Sequence, residues 1–316
     1  MQAEDAVPPL DGTQQATRSV ARYAMQVQDF GRGPASWQYY AGPPGRTIHF
    51  APANGMPAAT YLFLLEALAK HGNVYSMDNR GAWPGIAAPG KSDSWWLHLD
   101  DFLAFARSQY REPIHYVGHS MGASVGLLAA LRHPEMFASI TMIDPGTVPN
   151  LALALMMRFA PERLKQRLRL ISTTRKRRAS WPSREAFLEY IATRSTYRNF
   201  TTRALQDYAY GGLQPCDEGF CLRFMPVWEA HNFKASVHVW PLMHKIKVPA
   251  VLVRGQHSNV FPVARYREIG KRLERASGRG KDPALWLVEV PGVGHMLPQE
   301  GPQQALDVVL SHWAQL

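Results

Sequence analysis

The 316-residue chain is predicted to form an α/β fold in which helices flank a mostly parallel central sheet and a mainly helical lid is inserted. Two observations predict this fold. The first half alternates short apolar runs with amphipathic segments, a pattern typical of βαβ units. This alternation stops near Gly146 and resumes near Pro249, so a long insertion interrupts the sheet. The hydrophobic fraction of 46% is sufficient for one sizeable core.

Four strands and three helices are expected in the first half of the chain. The short apolar runs are interpreted as strands at 47–50, 74–77, 114–117 and 140–143. The helices are predicted over 61–70, around Leu99, Phe102, Leu103 and Ala106, which recur at helical spacing, and over 121–132.

The second half is expected to complete the same sheet after the insertion. Strands are predicted at 250–253 and 286–290, and helices at 263–275 and from Gln303 onward. The predicted organisation is an N-terminal extension (1–36), a core made of 37–146 and 246–316, and a helical lid (147–245). Open α/β sheets bind ligands at the carboxyl ends of their strands, so we expect the lid to cover that edge.

The positive charge of the chain is concentrated in the predicted lid. The net charge is +10, and ten Lys and Arg residues but one acid, Glu162, lie between Arg158 and Arg184. The rest of the chain is nearly neutral, which argues against a nucleic-acid partner. A basic stretch is usually a solvated surface. The alternatives are contact with an anionic, CoA-like substrate or with an anionic membrane surface.

Several classes of protein are disfavoured by what the sequence lacks. No apolar run approaches the roughly 18–20 residues needed to cross a bilayer, and residues 1–35 lack the apolar region of a secretory signal, so a cytoplasmic location is expected. Cys216 and Cys221 are expected to be free thiols. No metal-binding pattern occurs, and neither a metal nor another cofactor is predicted.

The strongest motif is Gly118-His119-Ser120-Met121-Gly122, which follows a predicted strand and opens a predicted helix. In this setting the serine occupies a sharp turn with its Oγ above the sheet, and the residues two before and two after must be small. The amide of Met121 then lies at a helix N-terminus, where it can stabilise an oxyanion. The pattern predicts Ser120 as a nucleophile, with a chance small-residue turn as the alternative.

With this motif, residues 37 to 316 resemble the α/β-hydrolase superfamily. The loop Phe50 to Pro57 resembles the His-Gly oxyanion loop of that superfamily, with Asn54 in place of His. The resemblance implies that the backbone N–H of Met56 completes an oxyanion hole with that of Met121. Asp78-Asn79-Arg80-Gly81 resembles the D-x-R-G turn of the superfamily, which is usually structural.

Gly292-Val293-Gly294-His295-Met296 follows the last predicted strand and resembles the loop that carries the catalytic histidine. A histidine suits the role because its pKa near 6.5 lets it take the serine proton and return it to a leaving group. We therefore predict His295 as the general base. The remaining histidines, among them His119, are assigned no role in the chemistry.

The acid that would orient His295 is less obvious. The loop after 250–253 is where the superfamily usually has it, but Ser258 and Asn259 stand there. Asp144 ends the strand that follows the nucleophile helix, and some α/β hydrolases, including certain dehalogenases, lactone hydrolases and fungal acyl-CoA hydrolases, place their acid there. We therefore predict Asp144, with a strand-ending turn as its alternative role and Glu300 as the weaker candidate.

A serine nucleophile predicts acyl transfer to water through an acyl-enzyme. The expected substrate is a small acyl compound, a carboxyl ester or thioester, with acyl-CoA as a refinement. The apolar segment 151–157 either lines an acyl pocket or packs on the core. The alternatives are a lactone or carbon–carbon bond hydrolase with the same triad, and a non-catalytic ligand-binding protein. The sequence predicts no oligomeric state.

Overall fold

A computed structural model of the chain describes residues 24–91, 93–148, 150–278 and 284–316. Its strands are β1 (Gln26–Asp29), β2 (Pro34–Tyr40), β3 (Thr47–Ala51), β4 (Asn73–Met77), β5 (Ile114–His119), β6 (Phe137–Ile143), β7 (Ser180–Trp181), β8 (Leu213–Cys216), β9 (Gly219–Leu222), β10 (Ala250–Gly255) and β11 (Leu285–Val290).

The helices alternate with these strands through the core and dominate the insertion. They are α1 (Leu62–Leu68), α2 (Trp95–Gln109), α3 (Met121–Arg132), α4 (Leu151–Phe159), α5 (Glu162–Lys165), α6 (Arg169–Arg175), α7 (Arg184–Ala192), α8 (Thr202–Gly211), α9 (Pro226–Lys234), α10 (Val263–Ser277), α11 (Leu297–Glu300) and α12 (Pro302–Trp313). Short 3-10 turns lie at Ala58–Tyr61, Arg80–Ala82, Pro134–Met136, Ser195–Tyr197 and Trp240–Lys245.

The central sheet has eight strands in the order β1-β2-β4-β3-β5-β6-β10-β11. The pairs β1–β2 and β2–β4 are antiparallel, and the other neighbours are parallel. The predicted fold class is therefore confirmed. Because β5, β6, β10 and β11 run in one direction side by side, the loops after them emerge at one edge of the sheet.

The middle of the sheet is covered by helices on both faces. Tyr116 and Val117 of β5 point to opposite faces and are both fully buried. This is why the parallel strands are continuous apolar runs in the sequence. Helix α3 packs closely on β5, since a Cβ on Gly126 would lie 2.2 Å from the ring of Tyr116.

The sheet begins earlier than residue 37, so the N-terminal extension is shorter than expected. Strand β1 and the first residues of β2 pair in antiparallel register, with Gln26 opposite Trp37 and Asp29 opposite Pro34. The predicted extension otherwise lies largely outside the described residues. All four residues of β1 are exposed, so this edge strand has no alternation of buried and exposed residues by which a sequence could reveal it.

The inserted region 147–245, predicted to be a lid and called the lid below, contains helices α4 to α9 and also a three-stranded antiparallel sheet in the order β7-β9-β8. The sequence indicates no clear strand in this region. The hairpin of β8 and β9 turns at Asp217 and Glu218, and its strands have only four residues each. Strands this short are difficult to distinguish from loops by periodicity.

The expectation of free thiols is wrong, because Cys216 and Cys221 form a disulfide across this hairpin. The bond runs diagonally between the strands, because the register places Cys216 opposite Gly219 and Cys221 opposite Gln214, and the two Cα atoms are 5.9 Å apart. Closing so short a loop restricts the unfolded chain and stabilises the fold by about 2 kcal/mol.

Within the described ranges, no helix has both the length and the apolar character required to cross a membrane.

Candidate active site

Ser120 lies between β5 and α3, at the tip of a sharp turn. Its backbone has φ 52° and ψ −114°, in the left-handed half of conformational space that non-glycine residues rarely adopt. The Ser120 N–H donates to the carbonyl of Ile143 at 2.9 Å, which ties the turn to β6. The residue follows β5 at the carboxyl edge of the sheet and is 8% exposed.

The two glycines that flank Ser120 leave no room for a side chain. A Cβ on Gly118 would lie 2.7 Å from the backbone N of Ala123, and a Cβ on Gly122 would lie 2.3 Å from the carbonyl of Ala51. Both contacts are with backbone, which cannot move aside as a flexible side chain does. These distances give the physical reason for the small residues two positions before and after the serine.

The structure brings Ser120, His295 and Asp144 together. His295 Nε2 lies 3.1 Å from Ser120 Oγ, and its Nδ1 lies 2.7 Å from Asp144 Oδ1. Asp144 follows β6 directly and is fully buried. Its N–H donates to the carbonyl of Val253 on β10 at 2.8 Å. The three residues thus form one hydrogen-bonded chain from hydroxyl to imidazole to carboxylate.

Asp144 also accepts two hydrogen bonds from the end of β10 and the loop that follows it. The Ser258 hydroxyl donates to Oδ1 at 2.7 Å, and the Gly255 N–H donates to Oδ2 at 2.9 Å. The position where the superfamily usually has its acid is therefore occupied by a side chain that holds Asp144. The sequence revealed the missing carboxylate there but not this supporting role of Ser258.

The other two residues considered near His295, Glu300 and Asn259, do not hold its ring. Glu300 Oε2 accepts a hydrogen bond from the Gly294 N–H at 2.5 Å, so it supports the backbone of the histidine loop. Asn259 is exposed. The missing acid after β10 had motivated the non-catalytic alternative, and the contact between Asp144 and His295 removes that motivation.

The two predicted oxyanion donors differ in their surroundings. Met121 is the first residue of α3, where helix geometry leaves N–H groups without intrahelical partners. The Met56 N–H donates to the carbonyl of Ala53 at 3.3 Å, which is long for a hydrogen bond of this type. Its participation in an oxyanion hole stays a prediction, and it requires that this weak bond be shared or released.

Asn54, which replaces the usual histidine of the oxyanion loop, attaches that loop to the lid. Its Nδ2 donates to the carbonyl of Glu229 at 2.9 Å, and its Oδ1 accepts from Asn232 Nδ2 at 2.9 Å. Both partners belong to α9.

His119 contributes to the site in a way that the sequence analysis missed. Its Nε2 lies 2.9 Å from the carbonyl of His295 and its Nδ1 lies 2.8 Å from Tyr61 Oη, which accepts from the Ala53 N–H at 3.1 Å. A carbonyl only accepts, so Nε2 carries the proton and Nδ1 accepts from the phenol. Burial lowers the pKa of His119 to about 3, which keeps the ring neutral. This chain connects the histidine loop to the oxyanion loop.

Gly146 is a second residue that the sequence analysis did not identify. A Cβ at this position would lie 3.0 Å from Ser120 Oγ, and its carbonyl accepts a hydrogen bond from Ser124 Oγ at 2.5 Å. The backbone after Asp144 is thus held against the serine hydroxyl. The signal in the sequence was the Asp-Pro-Gly turn after a strand, which also occurs in ordinary loops.

Part of the apolar segment 151–157 packs on neighbouring helices, whereas Leu155 is 47% exposed. Met157 is 9% exposed and belongs to a cluster with Ile171 and Ala230.

In the part of the chain that the structure describes, no group of three His, Cys, Asp or Glu side chains is arranged to hold a metal ion.

The chain matches one family model and is similar to several known proteins. A family model described as "Alpha/beta hydrolase family" matches residues 48–308. A 2-(acetamidomethylene)succinate hydrolase of Mesorhizobium japonicum is 23% identical over 292 residues, which cover 92% of this chain and 91% of that protein.

Two further similarities concern shorter or more distant matches. An N-formylmaleamate deformylase of Pseudomonas putida is 28% identical over 104 residues, and the matched part spans only 39% of that protein. The crystal structure of an E-2-(acetamidomethylene)succinate hydrolase superposes with a TM-score of 0.70 at 20% identity, covering 92% of this chain and 99% of that one.

Proposed function

Because the chain belongs to the alpha/beta hydrolase family and is a hydrolase, we propose that it cleaves a carboxyl ester or thioester through an acyl-enzyme on Ser120. One observation carries the proposal: His295 lies within hydrogen-bond distance of both Ser120 Oγ, at 3.1 Å, and Asp144 Oδ1, at 2.7 Å. This is the arrangement in which a weakly acidic hydroxyl becomes a nucleophile near neutral pH.

In the first half of the reaction, Ser120 Oγ attacks the substrate carbonyl while its proton passes to His295 Nε2. Asp144 keeps the other proton on Nδ1 and stabilises the imidazolium that forms. The carbonyl oxygen becomes an oxyanion, which the Met121 N–H stabilises at the start of α3, with the Met56 N–H as the expected second donor. The leaving alcohol or thiol takes the proton from His295 as the carbon–oxygen or carbon–sulfur bond breaks.

In the second half, water hydrolyses the acyl-enzyme. His295 takes a proton from the water, whose oxygen attacks the acyl carbon, and the oxyanion forms again at the same N–H groups. The bond to Ser120 Oγ breaks, and His295 returns the proton to the serine. The products are a carboxylic acid and the free enzyme.

Labelling with a fluorophosphonate probe tests the nucleophile. The wild type should be labelled, Ser120→Ala should not, and His295→Ala should lose nearly all labelling because the serine loses its base. Asn259→Ala is the matched control, since Asn259 is exposed, and it should be labelled at the wild-type rate. An unlabelled wild type would contradict the proposal and favour the non-catalytic binding protein.

A second candidate is hydrolysis of an amide-type bond in a small acid. It is favoured by the similarity to the 2-(acetamidomethylene)succinate hydrolase, which extends over nearly the whole of both chains. The same serine chemistry applies, with an amine as the leaving group. A panel of 4-nitrophenyl esters, acyl-CoAs, N-acyl amides and lactones separates these candidates and the carbon–carbon alternative, with Ser120→Ala as the blank for each.

The surface of the lid supports two proposals about partners. Arg167, Arg169 and Arg175 are exposed on and around α6, as are the apolar side chains of Phe159 and Leu170. Exposed cations suit the phosphates of an acyl-CoA, and cations beside exposed apolar groups suit an anionic membrane surface. A salt-sensitive KM for acyl-CoA supports the former, and sedimentation with anionic but not zwitterionic vesicles supports the latter.

A further inference from the structure

The lid contains a partly open cavity of about 460 Å³ whose walls come from four of its helices, with Thr173 on α6, Tyr190 on α7, Tyr208 on α8 and Phe233 on α9. A volume of this order is typical of small-molecule sites. Neither Ser120 nor His295 is among the described residues that line it. We refer to it as the lid cavity.

A buried ion pair lies in the wall of the lid cavity. Arg177 Nη2 is 2.9 Å from Glu229 Oε2, and their side chains are 21% and 12% exposed. Nε and Nη2 of Arg177 nevertheless make no well-directed hydrogen bond within the part of the chain that the structure describes. A guanidinium offers five N–H donors, and a buried donor that stays without a partner destabilises the fold. Both nitrogens are enclosed in the cavity wall with almost no surface open to solvent, so an anion gains these donors only when the guanidinium turns towards the cavity.

The charge in and around the lid cavity is positive. Arg178 and Arg194 also line it, against the single carboxylate of Glu229. Both stack on aromatic rings, Arg178 at 5.3 Å from the centre of Trp181 and Arg194 at 4.3 Å from that of Tyr190. Both side chains are largely exposed, whereas Arg177 lies deeper. This arrangement attracts an anion and places a buried guanidinium where the anion would bind.

Most of the remaining lining is apolar or aromatic, with Thr173, Thr174 and Thr196 among it. Trp181, Phe187 and Tyr208 are each 2% exposed and, with Leu222, form rigid walls. Such walls favour a ligand whose charge is confined to one end. A guanidinium matches a carboxylate through two parallel hydrogen bonds. We propose that the lid cavity binds an organic anion, a carboxylate on an apolar or aromatic body, and that Arg177 receives the carboxylate.

This site adjoins the loop that carries the expected oxyanion donor, so its link to catalysis rests on the proposed function. A Cβ on Gly55 would lie 2.7 Å from Glu229 Cδ, and Asn54 donates to the Glu229 carbonyl. A carboxylate bound at Arg177 would change the ion pair of Arg177 with Glu229. Glu229 lies against Gly55, which precedes Met56. The ligand is either the distal end of the substrate or a separate small acid, and both have the same recognition chemistry.

Calorimetric titration with 4-phenylbutyrate and its neutral amide tests the site. The wild type should bind the acid at least about 10-fold more tightly than the amide, because one ion pair at a partly buried site is worth more than 1.4 kcal/mol. The preference should vanish in Arg177→Met/Glu229→Gln, which removes both members of the pair and leaves no unpaired buried charge. Arg175→Met, which removes an exposed charge from α6, should keep it.

Three results would overturn the proposal. They are equal affinity for acid and amide, no binding of the acid, and an equal loss of the preference for the acid in the Arg175 and Arg177 variants. Titrating Ser120→Ala in parallel separates binding from turnover, so failure of the proposed chemistry leaves this test intact. Kinetics distinguish the two sources of the acid. If it is the distal end of the substrate, the double variant raises KM for mono-4-nitrophenyl glutarate but not for 4-nitrophenyl butyrate. If it is a separate ligand, both KM values stay the same while phenylbutyrate binding is lost.

Discussion

Replacing Asp144 by Asn is expected to lower kcat by about 10²–10⁴-fold, and the structure determines why. Asp144 accepts from the Gly255 N–H through Oδ2 and from His295 and Ser258 through Oδ1. The Gly255 N–H can only donate, so the carbonyl of the introduced side-chain amide must face it. The NH₂ group then faces His295 Nδ1, which must become an acceptor, and the ring proton moves to Nε2. A protonated Nε2 cannot take the proton of Ser120.

The size of the loss follows from two limits. In serine proteases, replacing the corresponding acid leaves the histidine in the wrong tautomer. This lowers kcat by about 10⁴, or roughly 5 kcal/mol. The opposite amide orientation restores the tautomer but sets an NH₂ against the Gly255 N–H, which costs about 1–3 kcal/mol. It also lacks the negative charge that stabilises the imidazolium. The productive orientation is thus a minor population with reduced activity, and a loss of about 100-fold is the lower limit.

Initial rates of 4-nitrophenyl acetate hydrolysis, normalised by active-site titration, measure this effect. Asn259→Ala and Glu300→Gln serve as controls and should stay within about 3-fold of wild type, since neither side chain holds the ring of His295. Ser258→Ala removes one donor without changing the tautomer, so it should lose only about 10-fold. An Asp144→Asn enzyme within 10-fold of wild type, or a 100-fold loss in either control, would refute the reasoning.

Three further predictions follow from the surroundings of the site. Gly146→Ala places a Cβ 3.0 Å from Ser120 Oγ, so kcat/KM should fall on the order of 10-fold in steady-state assays while the melting temperature stays near that of wild type. His119→Gln keeps a donor for the His295 carbonyl and should retain most of kcat, whereas His119→Leu should lose about 10–100-fold in kcat with little change in KM. Burial lowers the pKa of both His49 and His119 to about 3. In the unfolded chain these histidines have a pKa near 6.5, so their burial in the neutral form does not reduce stability above that pH. Below about pH 6 the unfolded chain binds protons that the folded protein does not, and each histidine should lower the unfolding free energy by about 1 kcal/mol per pH unit in urea titrations.

Specific outcomes would contradict these expectations. Wild-type rates in Gly146→Ala would mean that the hydroxyl is not confined by that backbone. Equal losses in the Gln and Leu variants of His119 would assign it a packing role only. An unfolding free energy that stays constant between pH 7 and 5 would be incompatible with two histidines buried in their neutral form.

The sequence alone was sufficient for the fold class, and it predicted Ser120, His295 and Asp144 as the chain of reacting groups, with Glu300 left as the weaker candidate for the acid. The sheet strands were recognisable because burial on both faces leaves a continuous apolar run. The turn around Ser120 was recognisable because steric exclusion by nearby backbone demands glycine two positions before and after it. These constraints act between residues that are close in the chain or follow the pattern of a single element, so they are visible in one sequence.

Tertiary structure decided which groups surround the reacting atoms. Asp144 and His295 are 151 residues apart, and Ser258 holds Asp144 across 114 residues. The position of Arg177 beside Glu229 and the pairing of Cys216 with Cys221 likewise depend on how the lid folds. Composition indicated only that these groups exist. Their partners are chosen by packing, which determines the side chains that share a buried space, and this choice leaves no periodic pattern in the sequence.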